Sequence, residues 1–369
     1  MKIVYNSQIF QWQEYGGISR YFANLIQRVA CEEQVVVLAS LSINKYLTEL
    51  PQDLVKGIAL PWRTPRGARI LENIGSAIDR MVLPGIAPDI LHETYYAYRS
   101  VGPASMPTVL TVHDMTHERF KDYFSNKYDT INRKKAAVSR ASHVICISEN
   151  TRRDLIELHD VDPGKVSVIY QGYEGLNGRV DSGHGVLTEE QSRPYILYVG
   201  DRSEYKNCKS LLRAYASSTW LRDNFRIVCF GGGPFRTDEL DLLQKLEIKS
   251  DQIAQMGGGD DVLASYYKNA AAFVYPSLYE GFGIPPLEAM ALGCPVICSN
   301  TSSIPEVVGD AGEYFDPLEI ESIRTSIEKV LQSSESRNEL VQRGYSQCKE
   351  YSWDRCASET LEIYRRLIN

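Results

Sequence analysis

The sequence lacks several features that would place it in other classes of protein. No apolar run approaches the roughly 20 residues of a membrane-spanning helix, and Met1 to Tyr5 is typical of a first strand and not of a signal peptide. None of the eight cysteines forms a C-x-x-C pair, which favours small buried side chains over disulfides or metal ligands. No G-x-G-x-x-G fingerprint follows the first strand, which disfavours a dehydrogenase. We therefore expect a cytoplasmic protein of another class.

The charge distribution limits the expected partners. The chain holds 47 acidic and 40 basic residues and has no repeat of aromatic and basic residues, which argues against nucleic acid. Residues 1–175 carry 20 Lys or Arg against 19 Asp or Glu, and the remainder carries 20 against 28. A membrane-facing surface would therefore belong to the first half of the chain.

Strand-like and helical segments alternate along the chain, which predicts an α/β protein with parallel, doubly wound sheets. Its 369 residues suffice for two domains of ordinary size. Helical patterns cover Ser19 to Ala30 and Asn150 to His159. The predicted strands are Lys2 to Tyr5, Val35 to Ala39, Asp89 to His92, Thr108 to His113, His143 to Ile147, Lys165 to Ile169, Tyr195 to Val199, Arg226 to Phe230, Ala270 to Tyr275 and Pro295 to Ser299.

A stretch rich in glycine and polar residues, Gly172 to Arg193, interrupts this alternation. We therefore predict an N-terminal Rossmann-like domain over 1–175, a linker over 176–193 and a C-terminal Rossmann-like domain over 194–350. Residues 351–369 have a helical pattern. Two such domains facing one another would leave a cleft between them.

The stretch from Tyr279 to Gly293 predicts a strand end, a glycine loop and a helix. Pro285 and Pro286 favour a helix start, and Gly293 favours its end. Glycines before a helix N-terminus allow backbone N–H groups to approach a phosphate. Glu280 precedes this loop and Glu288 is expected in the first helical turn, where carboxylates suit vicinal hydroxyls. A phosphate flanked by hydroxyl-bearing groups indicates a sugar nucleotide.

Three other strand ends carry candidate ligands. Arg202 and Lys206 follow the strand that ends at Val199, and fixed cations there would stabilise a departing diphosphate without a metal. Gly16 and Gly17 precede a helix, which again suits a phosphate. His113 closes a strand at its carboxyl end, where open α/β sheets bind ligands, although a core histidine is the alternative. His113, Asp114 and His117 lack a convincing further metal ligand, so we predict no metal site.

The phrase E-G-F-G-I-P-P-L-E-A-M-A-L-G-C-P-V-I, with two Glu separated by seven residues, closely resembles the signature of retaining glycosyltransferases of family 4, which have the GT-B fold. This resemblance implies that Glu288 holds the ribose hydroxyls and that Glu280 and His113 contact the transferred sugar. It further implies that the C-terminal helix crosses back to the first domain. The implied contacts to the nucleotide diphosphate come from Arg202, Lys206, Gly16, Gly17, Gly281, Phe282, Gly283 and Ile284.

One position departs from the family pattern. Many members place the Arg directly after the glycine, where this chain has Asp201, so that Arg202 would have to reach from the next position. Lys206 and Asn207 match the pattern without adjustment. The family usually retains the sugar's configuration by same-face attack, in which the leaving phosphate accepts the proton.

The resemblance implies transfer of a hexose from a nucleotide sugar to a hydroxyl of a glycan or lipid-linked glycan in surface polysaccharide assembly. We predict mannose from GDP-mannose, with UDP-glucose or another UDP-hexose as the open alternative, and no cofactor. Two other classes remain open. A sugar-nucleotide epimerase would convert the donor without an acceptor, and a non-catalytic binding module would bind it without turnover.

Two segments of the first half combine basic and apolar residues. Trp62 to Pro84 could form a basic amphipathic helix at a lipid surface, and Arg119 to Arg140 holds seven Lys or Arg against two Asp. A solvated charged face is the alternative interpretation. We therefore keep peripheral contact with the inner face of the cell membrane as a hypothesis. The residues concerned are Trp62, Arg63, Arg66, Arg69, Ile70, Leu71, Ile74, Ile78, Arg80, Met81, Val82, Phe120, Tyr123, Phe124 and Tyr128.

Overall fold

The computed structural model describes residues 1–60, 68–124, 127–176 and 193–369. The predictions for Trp62, Arg63 and Arg66, and most of the predicted linker, lie outside these residues, as does the side chain of Arg69. The chain divides into two compact units. Unit 1 comprises Met1–Gly172 and Ser352–Asn369, and unit 2 comprises Tyr173–Tyr351.

Within its described residues, unit 1 is built on a parallel sheet of seven strands. The strands are β1 (Lys2–Tyr5), β2 (Gln34–Ser42), β3 (Val55–Ala59), β4 (Ile90–Glu93), β5 (Thr108–Val112), β6 (His143–Cys146) and β7 (Val166–Val168). Their order across the sheet is β3-β2-β1-β4-β5-β6-β7. The central strands β4, β5 and β6 are buried along their whole length, as expected of a sheet covered by helices on both sides.

The helices of unit 1 connect these strands. They are α1 (Gln8–Trp12), α2 (Gly17–Val29), α3 (Ala68–Ile86), α4 (Thr116–Arg119), α5 (Lys127–Arg140) and α6 (Glu149–His159). Short 3-10 turns cover Tyr46–Glu49, Lys121–Tyr123 and Pro163–Lys165. α6 starts where Ser148 Oγ accepts a hydrogen bond from Thr151 N, and it ends at Asp160 in the left-handed conformation.

Unit 2 repeats the arrangement with six parallel strands among its described residues. They are β8 (Tyr195–Val199), β9 (Arg226–Phe230), β10 (Ile253–Met256), β11 (Ala272–Tyr275), β12 (Val296–Ser299) and β13 (Gly312–Phe315), in the order β10-β9-β8-β11-β12-β13. The helices are α7 (Cys208–Ala216), α8 (Thr219–Asn224), α9 (Thr237–Lys245), α10 (Asp260–Asn269), α11 (Ile284–Ala291), α12 (Ile304–Val308), α13 (Ile320–Gln332) and α14 (Ser334–Gln347). Further 3-10 turns cover Glu204–Lys206, Gly309–Ala311 and Cys348–Glu350.

The sheet of unit 2 has the doubly wound strand order 3-2-1-4-5-6, and the sheet of unit 1 has the same order with a seventh strand added, which confirms the predicted fold class. The strand order reverses between β1 and β4 in unit 1 and between β8 and β11 in unit 2. Ligands of such sheets bind beyond the carboxyl ends of the strands at these points. The loops after β8 and β11 are therefore the candidate ligand-binding segments of unit 2.

The last helix, α15 (Trp353–Ile368), packs against α2 within unit 1. Its Tyr364 hydroxyl lies 3.0 Å from the Tyr5 hydroxyl and contacts His92 Nδ1, while His92 Nε2 lies 2.9 Å from Thr111 Oγ1. All of these groups are buried. The helix is therefore held to unit 1 by a hydrogen-bonded network as well as by apolar contacts. Among the described residues, no helix has the length and apolarity needed to cross a membrane.

Candidate active site

Lys206 lies at the end of a short turn that follows β8. A hydrogen bond from Lys206 N to Ser203 O, 3.0 Å long, closes the turn. Asn207, in the left-handed conformation, is the N-cap of α7. Asn207 Nδ2 donates to Pro317 O at 2.8 Å, which fixes the end of the turn. The backbone that carries the Lys206 side chain is therefore held by hydrogen bonds on both sides of the residue.

Glu280 follows the neighbouring strand β11 and pairs with Lys206. The Lys206 ammonium donates to Glu280 Oε1 at 2.8 Å and to Oε2 at 2.9 Å. Burial lowers the pKa of Lys206, but the charge and hydrogen bonds of Glu280 outweigh it, so that the pKa is raised. Lys206 is therefore charged at neutral pH. A backbone hydrogen bond from Leu278 N to Tyr205 O, 2.8 Å long, also joins the two loops.

The loop from Glu280 to Gly283 is held by the loop after β12. Ser302 Oγ accepts from Glu280 N at 3.0 Å, and Ser303 Oγ donates to Glu280 O at 2.9 Å and to Phe282 O at 2.6 Å. Gly283 precedes α11 with a φ of 135°, a conformation that favours glycine. The predicted turn into a helix is confirmed at this position.

The side chains of this loop differ in their surroundings. Phe282 is buried, and its ring meets that of Tyr351 edge-on at 5.5 Å. Ile284 is the first residue of α11 and is partly buried. Phe282 therefore anchors the loop in the protein, and a ligand contact by Phe282 or Ile284 through the backbone stays a prediction.

Glu288 is the fifth residue of α11, so our placement of it in the first turn was wrong. The helix starts at Ile284, because Gly283 already serves as its cap, and this start puts Glu288 in the second turn. Glu288 is buried, and Tyr267 Oη of α10 donates to its Oε2 at 3.2 Å. Tyr267 is fully buried and restricts the orientation of the carboxylate.

Arg202 has partners other than the expected diphosphate. Its Nε donates to Glu239 Oε1 at 2.9 Å, and its Nη atoms donate to carbonyl oxygens of the Gly231–Pro234 segment. The side chain is almost completely buried. The predicted contact between Arg202 and a diphosphate stays a prediction, and this geometry does not favour it.

His113 lies directly after β5 in unit 1, as predicted. Its ring meets those of Tyr21 and Phe22 edge-on at 4.9 and 6.0 Å. Within the described part of the chain, its buried Nε2 has no hydrogen-bond partner. Burial lowers the pKa of His113 to about 4, with Asp114 opposing and Lys134 adding to this effect. The imidazole is therefore neutral at physiological pH and can donate or accept one hydrogen bond at Nε2.

Gly16 and Gly17 begin α2 in unit 1. Ser19 N of this first turn donates to Gln13 Oε1 at 3.0 Å, and a Cβ on Gly16 would lie 2.4 Å from that oxygen. A Cβ on Gly17 would meet nothing within 4 Å. Gly16 therefore permits the close approach of Gln13, and a phosphate contact by either glycine stays a prediction.

Two family models match consecutive parts of the chain. The model of Glycosyltransferase Family 4 matches residues 15–174, and the model of glycosyl transferases group 1 matches residues 182–347. The chain belongs to glycosyltransferase family 4. In agreement, this glycosyltransferase is 28% identical to O-antigen chain mannosyltransferase B of Escherichia coli. The alignment, 383 positions long with its gaps, covers 100% of both chains.

Solved structures share the GT-B fold of this family 4 glycosyltransferase. Sucrose-phosphate synthase from Thermosynechococcus elongatus is 18% identical, with a TM-score of 0.76, and the match covers 100% of this chain and 99% of that one. HepE from Anabaena, determined in complex with UDP-glucose, is 16% identical, with a TM-score of 0.73 and coverage of 99% and 100%. At such identities the likeness shows the fold alone.

Some residues that support the glycosyltransferase site were not predicted. Tyr267 orients Glu288, and the Tyr275 ring lies beneath Lys206, 6.0 Å from its ammonium. Burial and the Glu280 carboxylate raise the pKa of Tyr275. In the sequence both tyrosines belong to ordinary apolar patterns, so only the fold could single them out. Over the described ranges, no group of three or more His, Cys, Asp or Glu could hold a metal.

Proposed function

We propose that this glycosyltransferase moves mannose from GDP-mannose to a hydroxyl of a glycan or lipid-linked glycan, with retention of configuration, in surface polysaccharide synthesis. The similarity to an O-antigen mannosyltransferase over the whole chain supports this choice of sugar. The observation that carries the proposal is the group formed by Lys206, Glu280 and the loop before α11, beside the reversal of strand order in unit 2.

The proposed chemistry follows from the charges of these groups. The Lys206 ammonium meets the diphosphate and stabilises the negative charge that grows on it as the sugar leaves. Backbone N–H groups of Gly281 to Ile284, ahead of the two prolines of α11, add to this effect. The buried Glu288 carboxylate accepts hydrogen bonds from the ribose hydroxyls. Glu280, released from Lys206, accepts from hydroxyls of the sugar.

The proposed transfer step needs no protein nucleophile. The acceptor oxygen forms a bond to the anomeric carbon on the face from which the diphosphate departs. The bond between that carbon and the diphosphate oxygen breaks, and the acceptor's proton passes to the departing phosphate. His113, with its neutral imidazole and unpartnered Nε2, is proposed to contact the sugar.

The donor is tested by thermal unfolding of the purified full-length chain with GDP, UDP, ADP and their sugar conjugates. We expect stabilisation by GDP and GDP-mannose that is lost in Glu288→Ala and kept in Glu321→Ala, which alters an exposed ion pair. Stabilisation by UDP and UDP-glucose instead would favour the alternative donor, which a fold neighbour binds. No stabilisation by any nucleotide would contradict the proposed site.

Turnover separates the remaining classes. A transferase should release nucleotide slowly from the donor until a glycan acceptor is added, and product should then appear with the anomeric configuration of the donor. Conversion of the donor sugar without an acceptor would identify an epimerase. Donor binding without turnover for any acceptor would identify a binding module.

We also propose that helix α3 contacts the membrane that carries the acceptor. Its first turns bury the polar side chains of Glu72, Ser76 and Asp79, and its last turns bury Leu83 and Ile86. Its solvent face carries Ile70, Ile74 and Met81, which are 64%, 46% and 73% exposed. These three residues are four and seven positions apart and thus share one face. A helix that leaves several large apolar side chains exposed on one face suits a lipid surface.

Vesicle sedimentation tests the membrane contact. The full chain should sediment with vesicles of phosphatidylglycerol and phosphatidylcholine at low salt, and a variant carrying Ile74→Asp and Met81→Asp should not. Leu318→Asp, which alters an equally exposed side chain of unit 2, is the matched control and should sediment normally. Equal sedimentation of all three proteins, or of none, would contradict the proposal.

A further inference from the structure

Arg202 is the only basic residue besides Lys206 in the segment from Asp201 to Asn207, and its surroundings differ from those of Lys206. Asp201 is exposed, whereas the Arg202 side chain is 2% exposed. The arginine of this chain therefore stands at a buried position, whereas the position directly after the glycine, occupied by Asp201, is exposed.

The guanidinium holds the turn after β9. Its Nη1 donates to Gly231 O at 3.0 Å, and its Nη2 donates to Gly233 O at 2.9 Å and to Pro234 O at 3.0 Å. Gly231, Gly232 and Gly233 all have a positive φ, of 93°, 68° and 69°. A Cβ on Gly232 would lie 2.8 Å from Arg202 Nη1. The turn and the guanidinium therefore fit each other closely.

The charge of Arg202 is already compensated. Glu239 of α9 accepts from Arg202 Nε at 2.9 Å and from Nη2 at 3.3 Å, and it also accepts from Arg236 N at 2.7 Å. Glu239 is buried. If Arg202 turned towards a diphosphate, Glu239 would lose its nearer cation and keep only the exposed Arg236, 3.5 Å away, and several carbonyl oxygens would lose a donor, which is unfavourable.

We propose that Arg202 is a positioning residue that fixes the Gly231–Pro234 turn, and that Lys206 is the cation of this segment that meets the diphosphate. Gln255 Nε2 of β10 also donates to Gly231 O, at 3.3 Å, so this strand too helps to hold the turn. The inference rests on the proposed function, because it requires a nucleotide site in unit 2. The turn follows β9, the parallel neighbour of β8, so it lies at the same carboxyl edge of the sheet as the Lys206 segment. The inference therefore implies that Arg202 supports the whole nucleotide through this turn and does not contact the second phosphate.

Calorimetric titration of the full chain with a nucleoside monophosphate and the matching diphosphate separates the two roles. Arg202→Gln should weaken binding of both nucleotides by the same factor, about 10-fold. Lys206→Met should weaken the diphosphate by about 10-fold or more and the monophosphate much less. Arg213→Gln, an exposed arginine on α7, is the control and should bind both as the unaltered protein does.

Glu239→Gln provides the decisive variant, because it keeps the shape of the side chain and removes its charge. A positioning role predicts weaker binding of both nucleotides, as in Arg202→Gln. A direct contact between Arg202 and the diphosphate predicts the opposite, since the freed cation would bind the diphosphate more tightly. Tighter diphosphate binding by Glu239→Gln, or a loss confined to the diphosphate in Arg202→Gln, would overturn the inference and leave the proposed function intact. Absence of nucleotide binding by the unaltered protein would instead remove both.

Discussion

The Lys206 ammonium lies almost equally far from the two oxygens of the Glu280 carboxylate, 2.8 and 2.9 Å. The two residues follow the neighbouring strands β8 and β11, and both side chains are largely buried. A diphosphate that binds Lys206 must therefore compete with Glu280. Under the proposed function, this competition would connect binding of the diphosphate with release of a carboxylate for the sugar.

Glu280→Gln is accordingly expected to bind a nucleoside diphosphate more tightly, by about 3- to 10-fold, while losing transfer activity. The amide cannot compete as a charge for Lys206, and it is a weaker acceptor for sugar hydroxyls. Calorimetric titration and a transfer assay measure the two effects. Glu321→Gln serves as the control, and weaker diphosphate binding in Glu280→Gln would contradict the competition.

Tyr267→Phe tests the support of Glu288. Loss of the hydroxyl that donates to Glu288 Oε2 should lower the free energy of unfolding by about 1 kcal/mol. It should also weaken binding of ribonucleotides more than that of their deoxyribose analogues, because the carboxylate would be less well oriented towards ribose. Comparison of the two affinities measures this effect. Tyr266→Phe, on the same helix, should change neither the free energy of unfolding nor the ratio of the two affinities. An equal loss of affinity for ribonucleotides and deoxyribonucleotides in Tyr267→Phe would contradict the proposed orientation of Glu288 by Tyr267.

Each predicted strand overlaps an observed one. Most of these strands lie inside the sheets, where a strand covered on both faces is largely apolar. The exception is β7, an edge strand that was predicted although it is only partly buried. The missed strands, β3, β10 and β13, all lie at sheet edges. β3 is largely exposed, and β10 and β13 are only partly buried. Such strands lack the apolar signal, and only their neighbours define them.

The sequence predicted which segments form the candidate site, but not which of their side chains pair with one another. The ends of β8 and β11 could be identified because glycines and prolines mark the turns there. The Lys206–Glu280 pair spans 74 residues and the Arg202–Glu239 pair spans 37, so neither follows from local spacing. The sequence assigned the diphosphate to both Arg202 and Lys206, although only Lys206 matched the family pattern without adjustment, and their different burial and partners became evident only from the structure.

His113 should remain neutral over the physiological pH range. The folded-state pKa is about 4, below the ordinary value of 6.5, because burial disfavours the imidazolium. The unfolded chain therefore takes up this proton at higher pH than the folded chain, and stability is lost as the pH falls from 6.5 towards 4. Titration of the ring carbons by NMR should show no protonation of His113 above about pH 5. A midpoint near 6.5 would contradict the environment described for this ring.

Lys134 and Glu118 form a buried ion pair, with 2.8 Å between Nζ and Oε2. Lys134 Nζ also donates to Asp114 O at 2.8 Å, which holds the residue after His113. Burial raises the pKa of Glu118, but hydrogen bonding to His159 and the charge of Lys134 outweigh it and lower the pKa to about 2. The ionised pair therefore stabilises the fold above the ordinary carboxyl pKa, and this contribution is lost as the pH falls towards 2.

Lys134→Met should lower the free energy of unfolding by about 3–5 kcal/mol at pH 7, because it leaves a buried carboxylate without its cation. The loss should shrink as the pH falls from 7 towards 4, since protonation of Glu118 removes the uncompensated charge. Urea unfolding at several pH values measures both effects. Lys135→Met changes the exposed neighbour and should stay within about 0.5 kcal/mol of the unaltered protein. If the two variants were equally stable at pH 7, the pair would not support the segment that carries His113.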